Sequence, residues 1–367
     1  MPELIEASGF FSADYAGARR RFRDGARSAG AGLEQLQLDC RDDAGAPLTI
    51  DIAWLGASCP SRVLIHSCGL HGVEGFAGSA IQLALLRQRP RLTGDTALAL
   101  VHALNPYGMH HLRRTNEHNV DLNRNFRLPG EVLSGASDAY RNIETFLNPR
   151  SAPVFDFFVL RAAGYVLRYG RRTLTQAIAE GQYAYPQGLF YGGDRLEQGP
   201  ALVLAWLREH LTGMTRVIAI DVHTGLGPHG EDTLYMRGSG AARSALEASI
   251  EDQPGTRIID RTSHADGGYA IRGGYTRTLT ALGGTGEACA LLQEFGTCPP
   301  LRVLHALREE NRLHHHGNPH PAHPAKRRLL EVFCPRSPRW RETVVARGVA
   351  LAEAAIAALR VNQGSSD

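Results

Sequence analysis

The sequence predicts an α/β domain with a mostly parallel or mixed central sheet and helices on both of its faces. Two observations carry this prediction. Residues 62–67 (RVLIHS), 76–89 (FAGSAIQLALLRQR) and 97–104 (ALALVHAL) alternate as strand, helix and strand, the βαβ pattern that lays a helix over a sheet. The strand-like runs are also apolar throughout, as strands covered on both faces require. With 367 residues and 43% apolar content the chain can bury a large core, and it reads as one domain spanning residues 1–367.

The elements follow in order. Tyr15, Ala18, Phe22 and Ala26 recur at helical spacing among several arginines, so residues 12–30 read as an amphipathic surface helix. LTIDIAWLG (48–56) reads as a strand ahead of the βαβ unit. Residues 130–200 mix helical patches (138–148, 154–168 and 172–181) with the Gly/Pro-rich YPQGLFYGGD. RVIAIDV (216–222) is a short apolar run ending in the polar cluster HTGLGPHGED, and EACALLQEF (287–295) repeats that arrangement. HHHGNPHPAH (314–323) is punctuated by Pro and Gly and reads as an exposed loop, and residues 344–359 read as a terminal helix.

Composition excludes several functions. The net charge of +3 is spread along the chain, which argues against a nucleic-acid or membrane-surface binder. The N-terminal stretch lacks an apolar leader core and no run is long enough to span a bilayer, so a soluble cytoplasmic protein is expected. The six cysteines form no CxxC pair and are expected to be free thiols; Cys68, near His71, reads as a small buried residue. A G-x-S-x-G elbow and a P-loop are missing from the sequence.

The chemistry gathers where apolar runs end. These ends carry His71 and Glu74, then His223, then Glu294, and in open α/β sheets ligands bind beyond the carboxyl ends of strands. Catalytic zinc takes three His or Glu ligands and keeps a fourth position for water. His71 and Glu74, three apart, offer a short-spaced pair and His223 a rigid third ligand. The same residues also fit an ordinary turn and a capping or core histidine, and Glu294 fits a strand-end salt bridge. The polar segment LRRTNEHNVDLNRNF (112–126) adds guanidiniums and a carboxamide, which suit a site that clamps a carboxylate.

Together HGVE, RRT followed by DLNRNF, DVHTG and QEFGT, in that order over residues 60–300, resemble the zinc carboxypeptidases of the carboxypeptidase A superfamily. That superfamily includes the aspartoacylase and succinylglutamate desuccinylase branch, and the chain looks like a bacterial branch of it. The resemblance implies one zinc per chain held by His71, Glu74 and His223, with Asp121 orienting the first histidine. It implies Arg113 as the group that polarises the scissile carbonyl, Asn123 and Arg124 as the grip on a terminal carboxylate, and Glu294 as general base and acid. The interval from Glu74 to His223 is longer than in the digestive-type enzymes, which implies an insertion at about residues 130–200. The family's mobile substrate-binding tyrosine has no matching motif; Tyr269 and Tyr275 lie in the expected region. The expected activity is zinc-dependent hydrolysis of amide bonds in a peptide bearing a free carboxylate, as a carboxypeptidase or small-peptide amidase. Deacylation of N-acyl amino acids is the rival, and a non-catalytic zinc- or peptide-binding protein is the alternative from another class.

Overall fold

A computed structural model describes residues 7–251, 255–260, 271–282 and 286–360. Its strands are β1 (Gly32–Arg41), β2 (Pro47–Gly56), β3 (Arg62–Cys68), β4 (Thr96–His102), β5 (Arg216–Gly225), β6 (Asp232–Gly238), β7 (Thr256–Asp260) and β8 (Glu287–Gly296). The first helices are α1 (Tyr15–Ser28), α2 (Gly75–Gln88), α3 (Pro106–His110), α4 (Asp138–Leu147), α5 (Phe158–Tyr169) and α6 (Arg171–Glu180). The others are α7 (Gln198–Leu211), α8 (Ala241–Ile250), α9 (Tyr275–Leu282), α10 (Pro300–His316), α11 (Pro324–Phe333) and α12 (Pro338–Ala358).

The strands form one mixed sheet in the order β1-β2-β4-β3-β5-β8-β6-β7. Its centre, β4-β3-β5-β8, is parallel, as the βαβ unit β3-α2-β4 requires. Antiparallel pairing enters on either side, where β2 meets β4 and β6 meets β8. Alternate residues of the central strands feed two separate cores, as the two-residue period of a strand dictates. Leu64, Leu98, Leu100, Ile218 and Ile220 pack with Phe22 of α1, Ala84 of α2, Leu246 of α8 and Val344 of α12. Val63, Ile65, Ala97, Ala99, Val217 and Ala219 pack on the other face with Val203 and Leu207 of α7 and Leu279 of α9. Helices therefore cover both faces.

Sequence reading missed three strands, β1, β6 and β7; β1 is an edge strand whose side chains are mostly exposed or half-buried, so it carries no apolar run. The HHH tract also differs from the expectation of a loop. His314–His316 form the last turn of α10, and the loop begins at Gly317. All six cysteines are free. Among the described residues no helix is long and apolar enough to cross a membrane.

Residues 138–180 build a third core. Ile143, Phe146 and Leu147 of α4, Phe158 and Ala162 of α5 and Ala177 of α6 pack against Val303 and Leu307 of α10 and Phe333 of α11. The helix expected over 154–168 starts only at Phe158, because Phe157 has left-handed backbone with φ 54° and Asp156 turns to the arginines of α10. Arg308 and Arg312, both fully buried, donate to Asp156 or its neighbours: Arg308 Nε to the Phe146 carbonyl (2.7 Å) and Arg312 Nη2 to the Ala152 carbonyl (2.7 Å).

Burial alone would raise the Asp156 carboxyl, but its hydrogen bond and ion pair with Arg308, helped by Arg312 and Arg161, hold it below its ordinary 3.8. A depressed carboxyl contributes stability that is present above its unfolded pKa and lost as pH falls through the folded value. Asp156→Asn is therefore expected to lower unfolding free energy by about 1–3 kcal/mol at pH 7. The gap to the unsubstituted protein should close below about pH 4. Denaturant titrations of both proteins at several pH values check this, and a gap independent of pH would discount the ion pair.

Candidate functional site

Three adjacent parallel strands deliver the site at their carboxyl ends. After β3 the chain runs through Gly69 to His71, then makes one 3-10 turn over Gly72–Glu74 that feeds α2. Gly72 is required here: a Cβ would stand 2.0 Å from the Gly108 carbonyl carbon. Cys68 pairs in register with Val222, so His223, the next residue of β5, emerges beside the His71 loop. Glu294 of β8 lies directly across from His223 in the parallel register.

His71, Glu74 and His223 converge. His71 Nδ1 stands 2.9 Å from Glu74 Oε1, and His223 Nδ1 stands 3.0 Å from Glu74 Oε2 and 3.1 Å from His71 Nδ1. Behind them, His71 Nε2 meets Asp121 Oδ1 at 3.0 Å and His223 Nε2 meets Asp221 Oδ2 at 2.8 Å. A carboxylate accepts only, so each outer nitrogen donates and each inner Nδ1 is left with a lone pair. Two nitrogen lone pairs and a carboxylate thus face one another within a buried space, an arrangement that needs a cation among them. Burial lowers the His223 imidazole, but Asp221 and Glu74 outweigh it and push it up to about 10, so in the metal-free site a proton on Nδ1 answers the same demand for positive charge. Burial works against ionised Glu74 too, yet the two imidazoles hold its carboxyl far below the usual range. Two imidazoles and one carboxylate, with a cavity on the open side, are the donor set of a catalytic zinc site. The residues fit the ion.

The site lines a cavity of about 440 Å³ together with Arg114, Asn123, Arg124 and Glu294. Glu294 is 8% exposed and accepts a hydrogen bond from the Leu226 backbone N–H (2.8 Å). Burial, then the nearby Glu74 charge, push its carboxyl up to about 7. Asp121 accepts from Arg114 Nε (3.0 Å), and although burial opposes it, Arg114 and Arg124 keep it well below the ordinary carboxylate range. Asn123 is fixed by the Tyr275 backbone N–H on its Oδ1 (3.1 Å), and Arg124 donates through Nη2 to the Ala179 carbonyl of α6 (2.8 Å).

One expected residue is displaced. Arg113 is 1% exposed and faces away from the cavity, with Nε on Glu310 (3.0 Å) and Nη2 on Asn119 (2.8 Å). Its neighbour Arg114 stands beside the His71, Glu74 and His223 cluster instead, donating through Nη1 to Glu74 (3.1 Å) and stacking at 5.5 Å over Phe190. The chain bends at Arg114, so the two neighbouring arginines are held by different partners and only Arg114 lines the cavity. Tyr275 is also elsewhere, fully buried against Phe126 at a ring distance of 4.6 Å, and Tyr269 lies outside the described residues. Tyr165 and Tyr235 are the tyrosines that line the cavity. Sequence reasoning missed Asp221, although the signal was there: residues two apart on a strand share a face, which puts Asp221 beside His223.

The chain belongs to the family described as "Protein of unknown function (DUF2817)", whose model matches residues 11–347. No curated protein sequence matches it. Among solved structures it is similar to a carboxypeptidase A from Helicoverpa armigera, with 12% identity over 93% of this chain and 74% of that one and a TM-score of 0.47. A metallo-carboxypeptidase from Burkholderia cenocepacia gives 13% identity, 93% and 68% coverage and a TM-score of 0.46. A murein-tripeptide amidase from Escherichia coli O157 gives 16% identity, 77% and 92% coverage and a TM-score of 0.35. Likenesses this distant carry no argument about chemistry, which rests on the side chains themselves.

If Asp221 fixes the His223 tautomer, Asp221→Asn should weaken zinc affinity about 10–100-fold, the scale for such supporting carboxylates. Competition titration with a chelating dye measures it. Unchanged affinity would leave Asp221 with a packing role only.

Proposed function

We propose that this protein is a zinc-dependent hydrolase of amide bonds whose substrates carry a free carboxylate, a carboxypeptidase or small-peptide amidase in type. The observation that carries the proposal is that the His71, Glu74 and His223 set, Glu294, and the Asn123–Arg124 pair share one cavity. Zinc bound among the three ligands supplies Lewis acidity to a water and to the scissile carbonyl. Glu294, pushed up to about 7, is matched to take the proton of the attacking water and hand it to the leaving nitrogen. Arg114 lines the cavity next to Glu74, where its guanidinium faces the oxygen on which charge develops. Arg124 and Asn123 anchor the substrate carboxylate by charge-assisted hydrogen bonds. Arg113 has a different part, bracing the loop against Glu310 of α10.

A second reading, deacylation of N-acyl amino acids, uses the same groups. It is favoured by the apolar side chains, Phe146, Leu174 and Ile178 among them, that line the cavity beyond the charged cluster.

Protein purified without added metal should contain about one zinc per chain and hydrolyse free-carboxylate peptides or N-acyl amino acids, losing activity to a chelator and regaining it with zinc. Glu294→Gln should keep the zinc and lose roughly 10²–10⁴-fold in rate. Near-normal turnover by this variant at full zinc occupancy would remove Glu294 from the mechanism.

Arg124→Ala tests the anchor separately. A charge-assisted contact contributes on the order of 1.5–3 kcal/mol, so kcat/KM should fall roughly 10–200-fold on free-carboxylate substrates. The loss should nearly vanish on the amidated counterparts. Equal losses on both would show that Arg124 does not hold the carboxylate.

A further inference from the structure

We infer that the substrate is an amphiphile: an amino acid whose nitrogen carries a long unbranched acyl chain, with the carboxylate at Asn123 and Arg124 and the chain along an apolar wall. This rests on the hydrolase reading above and names the substrate class for that site. The wall comes from the segment that supplies none of the chemistry. Ile143 and Phe146 of α4, Tyr165 of α5, Leu174 and Ile178 of α6 and Leu304 of α10 line the same cavity as the metal centre. A peptide chain laid along such side chains would leave its amides without partners, at a cost of roughly 1–3 kcal/mol for each. A polymethylene chain has no such groups to satisfy.

Charge points the same way. Guanidiniums outnumber carboxylates in the lining, where Arg114, Arg124, Arg171, Arg237 and Arg277 stand beside Glu74 and Glu294, with Arg114 paired to Glu74 and Asp121, Arg124 near Asp121 and Arg277 paired to Glu131. Anionic head and apolar tail are what such a lining selects. The mouth is apolar as well: Val166, Leu226 and Leu301 line the cavity while remaining 43%, 45% and 41% exposed. Next to Val166, α5 and the residues before it leave Phe155, Phe157, Val159, Leu160 and Leu167 in solvent. Exposed apolar surface of this kind marks an interaction site, and here it lies on the helix that also lends Val166 to the cavity. The volume of about 440 Å³ lies within the roughly 300–1,000 Å³ of small-molecule sites.

The reaction is hydrolysis. The acyl carbon–nitrogen bond breaks, the hydroxyl of water ends on the acyl carbon to give a fatty carboxylate, and the remaining proton passes through Glu294 to the amino acid nitrogen. No other reactant is required.

The test uses N-acylglycines from acetyl to tetradecanoyl, each below its aggregation concentration. Binding is measured by calorimetry on zinc-loaded Glu294→Gln protein and turnover on the zinc-loaded protein with Glu294 intact. Affinity should rise by about fourfold per methylene until the wall is filled, the equivalent of the roughly 0.8 kcal/mol for burying a CH2. Turnover should follow the same chain-length order. Leu174→Asn should flatten both slopes while retaining zinc. Affinity independent of chain length overturns the inference, whatever the turnover. Affinity that climbs with chain length and falls with Leu174→Asn, but without hydrolysis of any member by the active protein, supports the acyl wall and sinks the hydrolase reading instead.

Discussion

The whole arrangement depends on one electrostatic demand: two imidazoles and a carboxylate are held face to face at the base of a cavity, each almost wholly buried. His71 Nδ1, His223 Nδ1 and Glu74 stand about 3 Å apart, and buried Asp121 and Asp221 prevent the rings from turning their donors inward. Such a cluster is stable only around positive charge. Its geometry is a property of the sheet. β3 and β5 run parallel, and the register that pairs Cys68 with Val222 brings the His71 loop to His223. β8 then sets Glu294 across from His223, a strand spacing of about 4.8 Å away.

The loop between β4 and α4 ties this centre to the rest of the molecule by dividing two adjacent arginines between two tasks. Arg114 faces inward and joins Glu74 to Asp121. Arg113 faces outward to Glu310, which Lys326 of α11 also reaches at 2.6 Å. The same helix α10 offers Arg308 and Arg312 to the segment that bears the apolar wall. Ligand loop, wall and two helices are thereby braced through one set of buried charges. Breaking any of these pairs strands a charge away from water, which is why they hold position.

Much of this was legible in the sequence where signals were local and periodic. The βαβ unit, the strand bearing His223, the strand bearing Glu294 and the three helical patches of residues 138–181 all announce themselves as apolar runs or helical repeats. The edge strand β1 did not, because its solvent-facing side chains carry polar residues that resemble a loop. Arg113 and Arg114 could not be separated by order alone: the choice turns on which way each side chain of a bent loop points, and for Arg113 that is settled by Glu310, nearly two hundred positions away. Asp221 was readable and was overlooked, since a carboxylate two residues before a strand-end histidine shares its face. The composition of the cavity wall was beyond sequence reading, because α4–α6 and α10 meet only in the folded chain.

The separation between wall and metal centre has a consequence for how such a protein can diverge. Side chains of α4 and α5 can be exchanged for larger, smaller or more polar ones without touching a ligand, the proposed base or the proposed carboxylate grip. Those changes would retune what fits while leaving the proposed chemistry in place. The end of α6 is different, for the Ala179 carbonyl holds Arg124 and a Cβ at Gly181 would stand 2.8 Å from the Arg124 side chain. Change along α4 and α5 is limited by the packing of their shared core and at the end of α6 by Arg124 as well, so new specificities in this lineage should accumulate in α4 and α5 and leave the turn after α6 unaltered.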